Sequence, residues 1–228
     1  MHTKNFELII FDLDGTLYPK KEQISAAFRQ GAAKIIAEQE NLPLKKAIKR
    51  IEAEKKKFEQ EVNGKMTYTL TLLSRWKVPI PEYERAVNSS AKNVNAIVER
   101  DDFALQAVSK VAKNYSTYLY TTNNRLLTDR ILKTIHMDHF FPPDRRFTVS
   151  SITDLNVGQN QFTDYIKPGR KGFEHILKSV NVSREKTLMV GDSPDSDLRP
   201  AEKMGLKTYK VFSRPDLYNL PTWLGLEG

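Results

Sequence analysis

The stretch Phe6-Glu-Leu-Ile-Ile-Phe-Asp-Leu-Asp-Gly-Thr-Leu-Tyr18 decides the fold. Residues 8–11 form an apolar run too short for a helix and rich in Ile, Leu and Phe. It reads as a strand buried on both faces, as in a parallel sheet. The run ends in two carboxylates, Asp12 and Asp14, which alternation along a strand places on one face, about 6–7 Å apart in Cα. They stand at the strand's C-terminal end, where open α/β sheets place their ligands. Gly15 then lets the chain turn sharply. Two carboxylates fixed side by side need a cation or a shared proton. The competing reading is a strand followed by an Asp-Gly hairpin turn.

A chain of 228 residues fits one large domain, or a core domain with a smaller insert. That is enough for a substantial hydrophobic core. The 39% hydrophobic and 28% charged content points to a soluble protein, and no apolar run approaches a membrane span. The first five residues lead into the strand without a secretory pattern. With no cysteine, disulfides and thiolate metal sites are excluded, and a cytoplasmic location is expected. The net charge of +8 is unevenly spread: residues 19–92 carry 16 Lys and Arg against 9 Asp and Glu, the remainder 20 against 19. A basic segment raises the question of nucleic acid. The lysines through 44–57 lack the interleaved aromatic residues that single-strand binding favours, so they read as a solvated helix face.

Residues 19–95 break the α/β rhythm and read as helical. Ile24, Ala27, Phe28, Ala32, Ile35 and Ile36 fall at helical spacing over 24–39. Leu44, Ile48, Ile51, Phe58 and Val62 mark a second helix, with Lys55 the one interruption of its apolar face. Asn63-Gly64 turns the chain, 67–76 is a third helix stopped by Pro79 and Pro81, and 81–98 a fourth. From 101 the α/β rhythm returns. Helices are expected over 102–114, 128–136, 170–180 and 198–204, the last ended by Gly205. Strands are expected over 115–120, 147–151, 187–190 and 207–212, with a polar connection over 152–166. Leu217, Leu220, Trp223 and Leu224 dock the tail on the core. His136 and His139 have metal-like spacing without convergent partners and read as a helix end.

Three strand ends thus carry polar groups: Asp12 with Asp14, Thr122 with Asn123, and Asp192. In a parallel sheet all strand C-termini point the same way, so these groups converge on one crevice. The aspartates supply hard oxygen ligands of the kind that suit Mg²⁺. Thr122 supplies a hydroxyl, the amides after it an anion site at a helix N-terminus, and Lys167 a positive charge for phosphate or aspartate. Each has a plainer alternative taken singly: Lys167 as a solvated loop lysine, Thr122-Asn123 as a helix cap, Asp192 as a turn, and Asp197 as a cap of the following helix. Together they describe a site for a phosphoryl group bridged to a metal.

In this order the residues resemble the haloacid-dehalogenase-like (HAD) hydrolase superfamily over the whole chain. Asp-Leu-Asp-Gly-Thr at 12–16 is similar to its first motif, Leu119-Tyr-Thr-Thr122-Asn123 to its second. Lys167-Pro168, six residues before Phe173, is similar to its third, and Gly191-Asp192-Ser193 with Asp197 and Ala201 to its fourth. The resemblance implies a Rossmann-like parallel sheet with helices on both faces, a catalytic core of residues 1–17 and 96–228, and an inserted helical cap of 18–95. Within the cap, Leu17-Tyr18-Pro19 and residues 67–76 resemble the pyrimidine 5′-nucleotidase-like branch. The resemblance further implies roles: Asp12 attacks phosphorus and forms an aspartyl-phosphate, and Asp14 protonates the leaving alcohol and then activates water. Asp12, Asp192 and the Asp14 carbonyl hold Mg²⁺. Thr122, the Asn123 amide and Lys167 hold phosphate oxygens, and Asp197 orients its neighbours or touches the metal through water.

The expected function is Mg²⁺-dependent hydrolysis of a small soluble phosphate ester, nucleoside monophosphates and sugar phosphates among the candidates. Asp14 separates this from dehalogenases of the superfamily, which typically lack the second aspartate. A phosphomutase keeps both. A non-catalytic nucleic-acid-binding or regulatory protein on the same fold is the alternative from another class.

Overall fold

The computed structural model describes residues 5–226; residues 1–4 and 227–228, which include most of the leader reading and the end of the tail, lie outside the described residues. Strand β1 (Leu8–Phe11) is the centre of the molecule, and none of its four side chains has exposed surface. Burying each contributes about 1.5–3 kcal/mol relative to solvent, which is why this short run can only be interior.

After β1 the chain leaves the sheet for α1 (Glu22–Gln39), α2 (Leu44–Val62), α3 (Tyr68–Arg75), α4 (Ile80–Ser90) and the single turn α5 (Val94–Ile97). It then runs α6 (Asp102–Asn114), β2 (Ser116–Tyr120), α7 (Arg125–Thr134), β3 (Arg146–Phe147), α8 (Lys171–Val180), β4 (Thr187–Gly191), α9 (Arg199–Lys203), β5 (Lys207–Lys210) and α10 (Arg214–Trp223). Among the described residues five strands form one parallel sheet in the order β3-β2-β1-β4-β5. This is an α/β, Rossmann-like fold. The strands step outward from β1 through β2 to β3, and the chain then crosses back to β4 on the other side of β1. Right-handed crossovers put the helices of the two halves on opposite faces. Where the order reverses, between β1 and β4, a crevice opens at the strands' C-terminal ends.

The helices between β1 and α6 bury their own apolar stripe. On α1 that stripe is Ile24, Ala27, Ala32, Ile35 and Ile36. Gly31 lies where α1 crosses α4: a Cβ there would stand 2.9 Å from the Val87 Cα, so a side chain would force the two helices apart. Thr67 caps α3 by accepting from the Leu70 amide at 3.0 Å. Helix α10 docks against α6, with the Phe103 and Tyr218 rings 5.6 Å apart and Leu217, Leu220 and Leu224 fully buried. Among the described residues no helix is long and apolar enough to cross a membrane.

Four element expectations are corrected. The strand over 147–151 shrinks to Arg146–Phe147, because Thr148 and Ser151 form a capping box that starts a 3-10 turn at Val149. The polar connection after it is largely two such turns, Val149–Leu155 and Gln159–Tyr165. The helix over 81–98 breaks after Ser90 into α4 and α5. Helix α7 starts three residues before position 128, because the Asn124 side chain caps it from Leu127 N at 2.9 Å.

Candidate active site

Asp12 continues the β1 ladder by one bond, its amide donating to the Val190 carbonyl of β4 at 2.9 Å. Its carboxylate is held at both oxygens: Oδ1 accepts from Lys167 Nζ at 2.6 Å and Oδ2 from Thr16 Oγ1 at 3.1 Å. Lys167 reaches in from the loop before α8. It is 2% exposed, and it also donates to Asp197 Oδ1 at 2.7 Å. Its ammonium lies 5.3 Å from the centre of the Tyr120 ring, and the Tyr120 hydroxyl is in turn fixed on the Tyr165 carbonyl at 2.9 Å. Asp197, fully buried, accepts from the Ser193 amide at 3.0 Å through its other oxygen. It therefore closes the turn after β4 and holds Lys167 at the same time.

Asp14 faces elsewhere. The chain turns back at Gly15, whose φ of +89° suits glycine, and a Cβ there would stand 2.8 Å from the Asp192 carboxyl. The turn is closed by the Gly15 amide on the Tyr18 carbonyl at 2.9 Å. It brings the buried Tyr18 hydroxyl to donate to Asp14 Oδ1. Asp192, at the end of β4, is paired with Lys20. Arg214 of α10 clamps the exit of this loop, donating to the Thr16 and Leu17 carbonyls at 2.8 and 3.1 Å and to Asp101 at 2.9 Å. Both passages between the sheet and the helical insert are thereby fixed by one guanidinium.

Thr122 and Asn123 follow β2 as expected, and both line a cavity of about 340 Å³ that Asp14 also borders. The surrounding amides are less open than the sequence suggests. The Asn123 amide donates to Thr121 Oγ1 at 3.2 Å, the Arg125 amide to Ser150 Oγ at 2.7 Å, and the Leu127 amide to Asn124. Asn124, rather than Thr122 or Asn123, is the cap. The Asn123 side-chain nitrogen is buried without a hydrogen-bond partner among the described residues. His136 and His139 take no part: the His139 ring lies tilted against Phe140, and His136 meets Arg100 at 3.5 Å.

A family model described as haloacid dehalogenase-like hydrolase matches residues 6–205. The chain belongs to the haloacid dehalogenase-like hydrolases. A Bacillus subtilis relative named as the HAD-hydrolase YfnB is 23% identical over 226 residues, covering 94% of this chain and 86% of its own. The crystal structure of YfnB bound to magnesium is similar with a TM-score of 0.55 at 20% identity, over 96% of this chain and 100% of that one. A HAD phosphatase from Thermococcus onnurineus has a TM-score of 0.59 at 18% identity, over 97% and 99%. At these identities the likeness to the solved structures is one of fold.

Charge is unbalanced in this HAD-like site: Asp12, Asp14, Asp192 and Asp197 meet two ammonium groups, Lys20 and Lys167. Burial, then mutual repulsion, pushes the Asp12 carboxyl above the ordinary range despite the Lys167 charge. Burial does the same to Asp14, Asp192 and Asp197. For Lys167 burial works against the charge, but Asp12 and Asp197 outweigh it, so the ammonium holds its proton above the usual lysine range. Carboxylate oxygens of Asp12, Asp192 and Asp197 all lie within 4.8 Å of one another. This hard-oxygen donor set, with excess negative charge, fits a divalent cation such as Mg²⁺.

Several residues with a hand in this site escape a reading of the sequence. Thr16 stands inside the first motif, and its spacing of four from Asp12 is the signal for its bond to that carboxylate. Tyr18 has the same spacing from Asp14. Lys55, the break in the apolar face of α2, lines the cavity; a lone cation on an apolar stripe is a usable signal. For Lys20 and Arg214, partners 172 and 198 residues away leave no local trace.

Proposed function

We propose that this chain is a Mg²⁺-dependent phosphomonoester hydrolase acting on a small soluble phosphate ester, nucleoside monophosphates included, through a phosphoryl group carried on Asp12. The helical insert of residues 18–95 acts as the cap over a core of 1–17 and 96–228. The observation that carries this reading is the division of labour between the two acids. Asp12 is locked at the base of the site by Lys167 and Thr16. Asp14 borders the cavity where an alcohol would leave.

The ester binds with its phosphoryl group against Thr122 and Lys167. An Asp12 oxygen attacks phosphorus, the P–O bond to the alcohol breaks, and Asp14 gives the departing oxygen its proton. Asp14 then takes a proton from water as that water attacks the aspartyl-phosphate, releasing inorganic phosphate and restoring Asp12. The shift of Asp14 by burial supports this role, because an acid that switches to a base needs a pKa between the two tasks. Lys167 supports the developing charge on the phosphoryl oxygens. Asp12, Asp192 and the Asp14 carbonyl would hold Mg²⁺, with Asp197 behind them, and the ion would neutralise phosphate charge.

The test is a panel of metabolite phosphates assayed for phosphate release with Mg²⁺ and ranked by kcat/KM. Turnover of at least one ester supports the reading. No turnover across the panel, with salt-sensitive nucleic-acid binding instead, supports a binding protein that uses the exposed lysines of α2.

A further inference from the structure

We propose that Arg214, at the start of α10, is the positioning residue of the turn that carries both acids, and that hydrolysis depends on it. This rests on the phosphomonoesterase reading and adds a residue to the same site. The turn after β1 is one short backbone unit: the Gly15 amide donates to the Tyr18 carbonyl at 2.9 Å and the Leu17 amide to the Leu13 carbonyl at 3.0 Å. Two hydroxyls reach the acids from this unit, Thr16 Oγ1 to Asp12 at 3.1 Å and Tyr18 Oη to Asp14. Each hydroxyl holds its acid only as well as its own backbone is held.

That backbone is held by Arg214. The Thr16 carbonyl accepts from Nη1 at 2.8 Å and the Leu17 carbonyl from Nη2 at 3.1 Å. The residue whose hydroxyl binds Asp12 thus has its carbonyl gripped, and the second gripped carbonyl belongs to the peptide that begins Tyr18. The guanidinium is itself fixed. Its Nε donates to Asp101 Oδ2 at 2.9 Å, and its carbon lies 5.7 Å from the centre of the Tyr218 ring. The Tyr218 hydroxyl donates to the same Asp101 oxygen at 2.7 Å, while Oδ1 accepts from the Ala104 amide at 3.0 Å and caps α6. Behind Arg214, a Ser213–Asp216 capping box starts α10, and the buried Leu217, Leu220 and Leu224 seat it on the core. Tying α10 to α6 needs the Asp101 pair alone; the two carbonyl bonds act on the turn. A planar fork addresses two carbonyls and a carboxylate together, whereas an ammonium is a single point charge and cannot. The far end of the chain therefore acts on the acids through the backbone of residues 16–18.

Hydrogen exchange at the amides of residues 15–17, followed by mass spectrometry on the full metal-free chain, tests this beside steady-state kinetics. The variants are Arg214→Ala, Arg214→Lys and Leu220→Ala, the last a core change in the same helix that leaves the fork in place. In both Arg214 variants exchange at 15–17 should quicken about tenfold or more. In both, kcat should fall about 10- to 100-fold, the cost of misplacing groups at the reacting centre, with KM within about threefold because Thr122 and Lys167 still hold the phosphoryl group. Millimolar guanidinium ion should restore most of the protection and of kcat to Arg214→Ala, and ammonium should restore neither. Leu220→Ala should lower Tm as much or more and leave kcat, measured below the melt, unchanged. Unchanged exchange at 15–17 in Arg214→Ala, the same local quickening in Leu220→Ala, a loss confined to KM, or rescue by ammonium as well as guanidinium overturns the inference. Wild-type turnover separates the two readings. An active wild type with unchanged kcat in Arg214→Ala sinks this inference and leaves the phosphatase standing. An inactive wild type whose 15–17 amides still depend on the guanidinium sinks the phosphatase and leaves Arg214 as the residue that positions the turn.

Discussion

Replacing Lys167 by Met removes one ammonium from between two buried carboxylates. Its Nζ is 2.6 Å from Asp12 and 2.7 Å from Asp197, and the three side chains are 2%, 10% and 1% exposed. Breaking a buried ion pair by deleting one partner costs about 3–5 kcal/mol, chiefly from the charge left behind. The low end applies here, because Asp12 keeps Thr16 Oγ1, Asp197 keeps the Ser193 amide, and each carboxylate can escape by taking a proton. A loss of about 3 kcal/mol corresponds to a fall in Tm of about 6–12 °C for a chain of this size. The assay is thermal unfolding of the metal-free protein near pH 7 and again near pH 5. The fall should shrink at the lower pH, as Asp12 and Asp197, already raised, become protonated. Phosphate release should drop by about 10²–10³-fold, the cost of removing one donor to a developing oxyanion. A Tm change within about 1 °C, or an equal change at both pH values, would refute the claim that this lysine balances charge in the site.

Other consequences concern the acids and the metal. Tyr18→Phe removes a donor that favours ionised Asp14, so the Asp14 pKa rises and the alkaline limb of the kcat/KM profile should move to higher pH; an unmoved limb argues against Asp14 as the acid. Lys20 is 62% exposed and paired with Asp192, so Lys20→Ala should tighten Mg²⁺ binding only about two- to fivefold by calorimetry, and weaker binding would contradict competition between the two cations. Because Asp12, Asp14, Asp192 and Asp197 all have raised folded-state pKa values, their contribution to stability is present below the unfolded value of about 3.9 and is lost as pH rises through the folded ones. Metal-free Tm should therefore fall between acid and neutral pH, with Mg²⁺ restoring more of it at the neutral end. Asp101 works in the opposite sense: burial raises its pKa, but Tyr218, the Ala104 amide and Arg214 outweigh it and hold it low. Its stabilisation appears only above the usual Asp range, and the metal-free curve should turn down again in strong acid.

What was legible in the sequence was the part that physical necessity writes locally. Leu8 to Phe11 must be interior, and carboxylates at the ends of apolar strands must share a crevice once those strands run parallel. The parallel order β3-β2-β1-β4-β5 then brings Asp12 and Asp192 together across neighbouring strands. Lys167 was visible through motif order alone; its residue type suggests a solvated loop, and nothing local announces burial between two aspartates. The expected strand at 147–151 failed because Thr148 and Val149 favour strands, while the bond that decides the matter, the Thr148 amide on Ser151 Oγ at 3.1 Å, is a capping contact. Arg214 marks the limit of such reading. A tail that docks through Leu217 and Leu220 is predictable from its apolar spacing, but a guanidinium holding the carbonyls of Thr16 and Leu17 is set by the closed tertiary fold.

Asp12 is proposed to carry a phosphoryl group in a Mg²⁺-dependent hydrolysis. The most direct test is the rate of inorganic phosphate release from a turned-over ester, by wild type and by Asp12→Asn, with Mg²⁺ and with chelator, each variant first shown by thermal melting to be folded. Wild type should turn the ester over in a way that chelator abolishes and Mg²⁺ restores, and Asp12→Asn should show none above background under any condition. Turnover that survives in Asp12→Asn, or that is indifferent to chelator, would contradict that role.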